Sequence, residues 1–408
     1  MDAASLRQML EVQGMDEGGG EGGGVLPEYA MSILVAGCIS IFVSLIVLVG
    51  IANVTPFGGS QSGLAYMLAL LASFNLMVMH SIVHGLSPAA NTHKIGMGWN
   101  EAFFWRSVFC LTLSLPYYCF PDAFSFLNAQ VDNLKEEKDS SAPLLSKDEE
   151  ERNIYGVYLL RNEWLLMLRG ALGVAAGCLV FVGMSYLPPA EAIALYSTAP
   201  FWSILFSYLI LNEVLTGMTL VCMGVCFGGV LLILEPWTLF HGHALSTSAV
   251  SSEILALAAF ASLTAGALVG IVGPMIRTML RVHVLELVFW LGIVGVFVTS
   301  CCSLFLEPHG LLDLCKWTVV EMHTHPLIAV GFVMVLGLTS FVGQVCLNLA
   351  WQLESAPTVT MVHMYSMIAL HLGFQVAVEQ EPLHLIPAIG VGVVFLAGVA
   401  IIVSRLYH

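Results

Sequence analysis

Polar side chains that could do chemistry are scarce in this chain, and most of them stand inside apolar runs. Tyr196, Ser197 and Thr198 are consecutive in PAEAIALYSTAPFWSILFSYLILNEVL, which begins at Pro189. His363, Tyr365 and Ser366 occupy a similar run that begins at Pro357. Glu191 opens the first of these runs, and Arg106 and Arg169 lie within or at the ends of other apolar runs. Asn75 is in an early run, and Gln344 and Asn348 are four apart in a late one, so the last two share a helical face. Inside a bilayer such groups are satisfied only by a cavity or by a neighbouring helix, and a charge there suggests a binding site or an ion pair. Tyr196, Ser197, Thr198, His363, Tyr365, Asn75, Gln344 and Asn348 are therefore cavity candidates, with helix–helix hydrogen bonding as the alternative for each.

These residue types bind rather than react. No paired carboxylates and no nucleophile with a base occur at a workable spacing, so no catalytic residue is assigned and the chain is not read as an enzyme. His80 and His84 stand at i and i+4, which suits a metal, but two ligands are not a site. No metal and no cofactor are expected. The absence of a GxxxxGK[ST] loop argues against an ATP-driven pump within this chain.

The elements that must position these residues are membrane helices. The chain has 408 residues, 58% apolar and 10% charged, with mean hydropathy +0.87. A soluble domain carries about 25% charged residues. A run of roughly 20 apolar residues spans a hydrocarbon core about 30 Å thick. Eleven runs qualify: 31–53, 63–84, 101–120, 165–187, 190–212, 217–235, 252–274, 284–306, 327–350, 357–378 and 385–404. An acidic, Gly-rich tail (1–30) precedes them, and a charged segment (121–164) separates the third from the fourth. The formal charge of −15 gives no reason to expect a nucleic-acid partner. Most of the cysteines fall inside apolar runs, where they act as small core residues.

Lys135, Lys138, Lys147, Arg152, Arg161, Arg277, Arg281 and Arg405 fall on one side of the membrane, and Arg7, Lys94 and Lys316 on the other. The positive-inside rule places the first group, with loop 121–164 and the C-terminus, in the cytosol. Arg106 and Glu191 then start their spans on the same, non-cytosolic side and can pair, either as a gate or as a structural ion pair. Arg169, followed by Gly170, sits at a cytosolic end, as a charge element or snorkelling to lipid phosphates. Glu213 and Glu381 end their spans as interfacial caps.

After the first run, the spans divide into two sets of five. An offset of 168 pairs Pro189 with Pro357, Glu213 with Glu381, Leu215 with Leu383, Gly224 with Gly392 and Phe227 with Phe395. An odd number of spans per unit makes the second unit enter from the opposite side, as an inverted repeat. The units are 63–235 and 251–404, with 31–53 as an additional helix. Small-residue spacings at Gly173–Gly177, Gly224–Gly228 and Gly266–Gly270 allow close helix approach within a bundle or a homodimer.

The stretch Leu168–Phe240 resembles the first EamA unit of the drug/metabolite transporter superfamily, in the branch related to nucleotide-sugar transporters. The matching features are the Arg-Gly opening, the Pro-Ala-Glu helix start, the mid-helix Pro-Phe, the Leu-Asn-Glu end and the Gly-rich span ending in GVLLILEP. FFWRSVFCLTLSLPYY resembles that superfamily's second span with its Arg. The resemblance implies an all-α, ten-helix, 5+5 inverted-repeat carrier with a central cavity, here carrying one extra N-terminal transmembrane helix. The expected function is secondary transport of a small polar or anionic metabolite across a membrane of the cell surface or the endomembranes. The alternative is a transporter-like protein that regulates a partner through the charged loop.

Overall fold

The computed structural model describes residues 30–53, 61–86, 97–120, 155–187, 189–211, 217–234, 252–280, 282–306 and 310–377, with scattered positions between 386 and 400. Every regular element among them is helical. That follows from the solvent. Lipid offers the backbone no hydrogen bonds, so each spanning segment must satisfy its own N–H and C=O groups. The helices are α1 (Ala30–Asn53), α2 (Gln61–Gly85), α3 (Trp99–Cys119), α4 (Tyr155–Tyr186), α5 (Pro189–Tyr196), α6 (Ala199–Leu211), α7 (Gly217–Leu234), α8 (Ser252–Thr278), α9 (Val284–Leu306), α10 (Lys316–Thr324), α11 (Pro326–Leu353) and α12 (Ala356–Ala377).

Six stretches among the described residues are long and apolar enough to cross a membrane: Ser62–Gly85, Glu163–Tyr186, Ala192–Leu211, Ala256–Thr278, Val284–Phe305 and Pro326–Leu353. With the family match reported below, they make this an integral multi-pass membrane protein. Large apolar side chains such as Phe260, Phe297, Phe305 and Leu327 face outward, as they should against lipid. The last expected span, 385–404, lies largely outside the described residues, as do the tail (1–29), loop residues 121–154, Glu213 and Glu381.

Two of the expected boundaries change. Residues 155–164, read above as the end of the charged loop, extend α4 toward its N-terminus. The span expected over 190–212 is broken into α5 and α6 by a turn at Ser197–Thr198. Pro200 explains the break: it has no N–H, and its ring crowds the carbonyl of Tyr196 four residues earlier. The backbone tightens instead, with Thr198 N–H donating to Leu195 O (3.3 Å) and Phe201 N–H to Thr198 O (3.0 Å).

The central packing is formed by α2 against α11 and α12, and by α8 against α4, α5 and α6. Between these groups α3 packs on α9, α9 on α4, and α3 on α11. The N-terminal α1 packs on α2 and α11. Gly37 of α1 lies against Val335 and Val78, while Ser44 accepts a 2.7 Å bond from Asn75 Nδ2.

The short helix α10 is tied to the start of α3. Buried Glu101 accepts hydrogen bonds from the N–H groups of Trp317 (3.0 Å) and Thr318 (2.8 Å), the second and third residues of α10. Trp105 Nε1 donates to Thr318 Oγ1 at 2.9 Å. A carboxylate at a helix N-terminus meets both orphan donors and the positive end of the dipole. Burial, with Glu101 close by, pushes the Cys315 thiol up to about 11. Glu101→Ala is expected to cost about 1–3 kcal/mol, since two buried N–H groups lose a charged acceptor. Thermal unfolding in detergent measures this, and an unchanged melting temperature would disprove the cap.

Candidate functional site

A cavity of about 50 Å³ lies where α2, α3, α4, α5, α8, α9, α11 and α12 converge. Its polar lining comprises Arg106, Arg169, His80, Tyr196, Gln344, Trp351 and His363. Apolar residues such as Leu76, Met79, Val180, Val269 and Leu291 complete the wall.

Arg169 comes from α4 and is 1% exposed. Gly170, the next residue, lets α4 approach α9 closely: a Cβ there would lie 3.2 Å from the carbonyl oxygen of Trp290. At that separation Arg169 Nη1 donates to Leu287 O (2.9 Å), and Nη2 donates to Asn348 Oδ1 on α11 (2.7 Å). Nε finds no partner among the described residues. The side chain does not reach an interface, so the snorkelling alternative is overturned. The physical reason is register. The apolar window begins at Glu163, so Arg169 is nearly two turns inside rather than at the end.

Arg106 comes from α3 and is 6% exposed. Its Nε donates to Ser340 Oγ on α11 at 2.9 Å. The guanidinium lies over the Phe103 ring, 4.7 Å from the centroid, a favourable cation–π placement. Gly177 of α4 makes the room, since a Cβ there would lie 2.7 Å from Arg106 Nη1 and 2.3 Å from Phe103. Among the described residues no carboxylate pairs with either arginine. The side chain of Glu191, the expected partner of Arg106, lies outside the described residues.

The other candidates divide. Tyr196, Gln344 and His363 line the cavity with the two arginines. Asn348 stands behind the wall and orients Arg169. Ser197 and Thr198 satisfy themselves locally, Ser197 Oγ donating to Ile193 O (2.7 Å) and Thr198 Oγ1 to Leu195 O (3.0 Å). Hydroxyls one turn along a helix can always do this, which weakens any inference from their position alone. Asn75 faces α1 through Ser44, and Tyr365 is buried outside the cavity lining.

Several residues that shape the site were not cavity candidates on sequence. His80 lines the cavity singly, its ring near His371 rather than paired with His84 for a metal. His371 had a legible signal, an ionisable side chain within the apolar run MIALHLGF. Ser340 had none, because serines are common in such helices.

A basic cavity enclosed by apolar helices fits a transporter. Residues 62–235 match the model of the EamA-like transporter family. Two curated relatives, pseudopaline exporters CntI from two strains of Pseudomonas aeruginosa, are 29% identical over 212 residues. That alignment takes in 52% of this chain and 64% of the exporter, so the chain spans under two thirds of those relatives' length. A crystal structure of another protein aligns with 86% of this chain and 98% of its own, at 14% identity and a TM-score of 0.50, a likeness of fold alone. The family and these relatives are transporters rather than enzymes.

Proposed function

We propose that this chain is a secondary transporter that carries a small organic anion through the arginine-lined cavity by alternating access between two five-helix units. One observation carries the reading: two guanidinium groups, both nearly fully buried, line one cavity and have no carboxylate partner among the described residues. Unpaired charge in a low-dielectric interior is expensive, and a substrate that brings negative charge offsets it. Arg106 and Arg169 then attract the anion. Tyr196, Gln344 and His363 supply hydrogen bonds around it, while Asn348 holds Arg169 in place.

The packing pattern supports two related units. If α2–α7 is matched with α8 onward, α2 on α11 corresponds to α8 on α4, and α3 on α11 to α9 on α4. The pair α3 on α9 maps onto itself. This is the pattern expected of repeats related by a twofold axis. The broken helix α5–α6 matches the discontinuous helices with which such carriers build their sites. A cavity of about 50 Å³ holds a few waters, whereas small-ligand sites measure about 300–1,000 Å³. The conformation is accordingly read as the closed one, which must open to one face to load. The exporter relatives favour transport, and the regulatory alternative gains no support from any described contact. The long loop and the C-terminus are assigned to the cytosol on the distribution of Lys and Arg.

The test is ligand-induced thermal stabilisation of the purified chain against organic anions, nucleotide sugars, amino acids and neutral sugars. A ligand at 100 times its dissociation constant stabilises by about 2.7 kcal/mol. The expected result is stabilisation by one or more anions and none by neutral sugars, weakened at least tenfold in Tyr196→Phe. Stabilisation by neutral compounds alone would remove the anion reading.

A further inference from the structure

Two imidazoles, His80 and His363, line the cavity and a third, His371, packs beside His80; His80 and His371 each keep an unsatisfied ring nitrogen. His80 on α2 is 4% exposed and His371 on α12 is 3% exposed. Their ring centroids lie 5.7 Å apart, with the planes tilted by 34°. Phe181 closes another side of the His80 ring, edge-on at 5.9 Å. His371 Nδ1 lies 2.9 Å from the carbonyl oxygen of Met367. A carbonyl only accepts, so Nδ1 carries the proton and Nε2 is a bare lone pair. Among the described residues neither His371 Nε2 nor His80 Nδ1 has a hydrogen-bond partner.

His363, about two turns earlier on α12, completes the group. Its Nδ1 is 2.9 Å from Ser73 Oγ, and that hydroxyl is 2.8 Å from Ala69 O and 3.0 Å from His363 O. Ser73 has one proton and both carbonyls compete for it, so His363 Nδ1 is the donor to Ser73 Oγ. Its Nε2 is then also a lone pair.

We propose that His80 and His371, with His363 beside them, form a proton-binding site and that one proton travels with each anion. This rests on the anion reading above. The titratable and charged groups facing the pair are Arg106 from α3, His363 from α12 and His84 from α2 itself. Arg169 from α4 and Tyr196 from α5 line the same cavity, and α11 brings the uncharged Gln344. No described carboxylate is among them; the Glu191 side chain on α5 lies outside the described residues.

In this setting a proton on either imidazole adds a third positive charge beside two guanidinium groups, which repel it. An anion in the cavity removes that repulsion and attracts the proton. By reciprocity the proton tightens the anion to the same degree. The proton comes from water on the loading side, adds to the lone pair of one ring nitrogen, and returns to water on the release side. No bond other than N–H forms or breaks.

Full-length protein in proteoliposomes tests this with sulfate, succinate and phosphoenolpyruvate as probes and protein-free vesicles as control. The membrane potential is clamped at zero, with pH about 5.5 outside and 7.5 inside. One proton per anion drives about tenfold accumulation for each pH unit, hence about 100-fold. An internal pH dye should show acidification on anion entry. His80→Gln and His371→Gln, each first shown to melt cooperatively, should bring accumulation close to onefold. Anion uptake in the wild-type chain without dye response or accumulation would overturn the proton site and leave the anion reading intact. No uptake of any of the three anions by folded wild-type protein would overturn the anion reading, and the proton site with it. The wild-type dye response decides coupling even if neither variant folds.

Discussion

Arg169→Gln is expected to abolish anion-induced stabilisation and to lower transport by at least about 100-fold, while the protein still folds. The asymmetry follows from what the guanidinium does. It is buried, spans from α4 to Leu287 O on α9 and Asn348 on α11, and keeps Nε without a described partner at the cavity. Losing its two charge-assisted bonds costs about 1.5–3 kcal/mol each. The removal of a desolvated charge offsets part of that cost. Binding has no such offset, because half of the cavity's described arginine charge disappears. Arg169→Lys should fail nearly as completely. A single ammonium on a flexible stem cannot hold Leu287 O and Asn348 Oδ1 at once and still face a ligand. Transport assays and melting curves on the same preparations separate the two effects. A variant that binds and transports like the wild type would remove Arg169 from the site, whereas one that never folds would make it structural.

The second large effect is expected at the contact between α8 and the broken helix. A Cβ on Gly266 would stand 2.6 Å from Tyr196 O and 2.8 Å from Thr198 Oγ1. On Gly270 it would stand 2.9 Å from both Ala199 O and Ser203 N. Tyr196 O, Ala199 O and Ser203 N are backbone atoms, so a rotamer change cannot relieve those overlaps. Gly266→Val and Gly270→Val should each cost about 1–3 kcal/mol or more, and should displace the Tyr196 hydroxyl from the cavity. Gly224→Ala on α7 is the control. Nothing lies within 4 Å of the added carbon, and helix propensity improves by up to about 1 kcal/mol. Melting curves that fail to distinguish the α8 variants from the control would show that α8 and α5–α6 do not meet in this way.

Much of the architecture was legible in the residues. Apolar runs of membrane-spanning length need only composition, and the six described stretches long and apolar enough to cross a membrane fall on such runs. Pro189, Glu191 and the Pro-Phe pair at 200–201 carried the resemblance, and they fall within residues 62–235, which match the EamA-like transporter family model. The hydroxyl cluster in the same run is now explained by its neighbour. Pro200 stops the helix at Tyr196, and Ser197 and Thr198 bond to the last carbonyls of α5. Of the three, only Tyr196 reaches the cavity.

What the chain determined by itself was the class of solvent for each segment and the identity of the rare polar residues, because both are one-dimensional properties. Tertiary structure alone decided which of those residues meet. Arg106, Arg169, His80 and His363 come from four helices and up to 283 positions of separation. Whether a charge near a helix end is interfacial or internal depends on a register of one or two turns, and apolar sequence fixes that register poorly. Arg169 fell on the inner side because Gly170 and Gly173 let α9 and Leu291 pack against its helix, closing it off from the surface. Asn75 and Asn348, similar in type and burial, took different tasks for the same reason: one faces a serine on α1 and the other an arginine on α4.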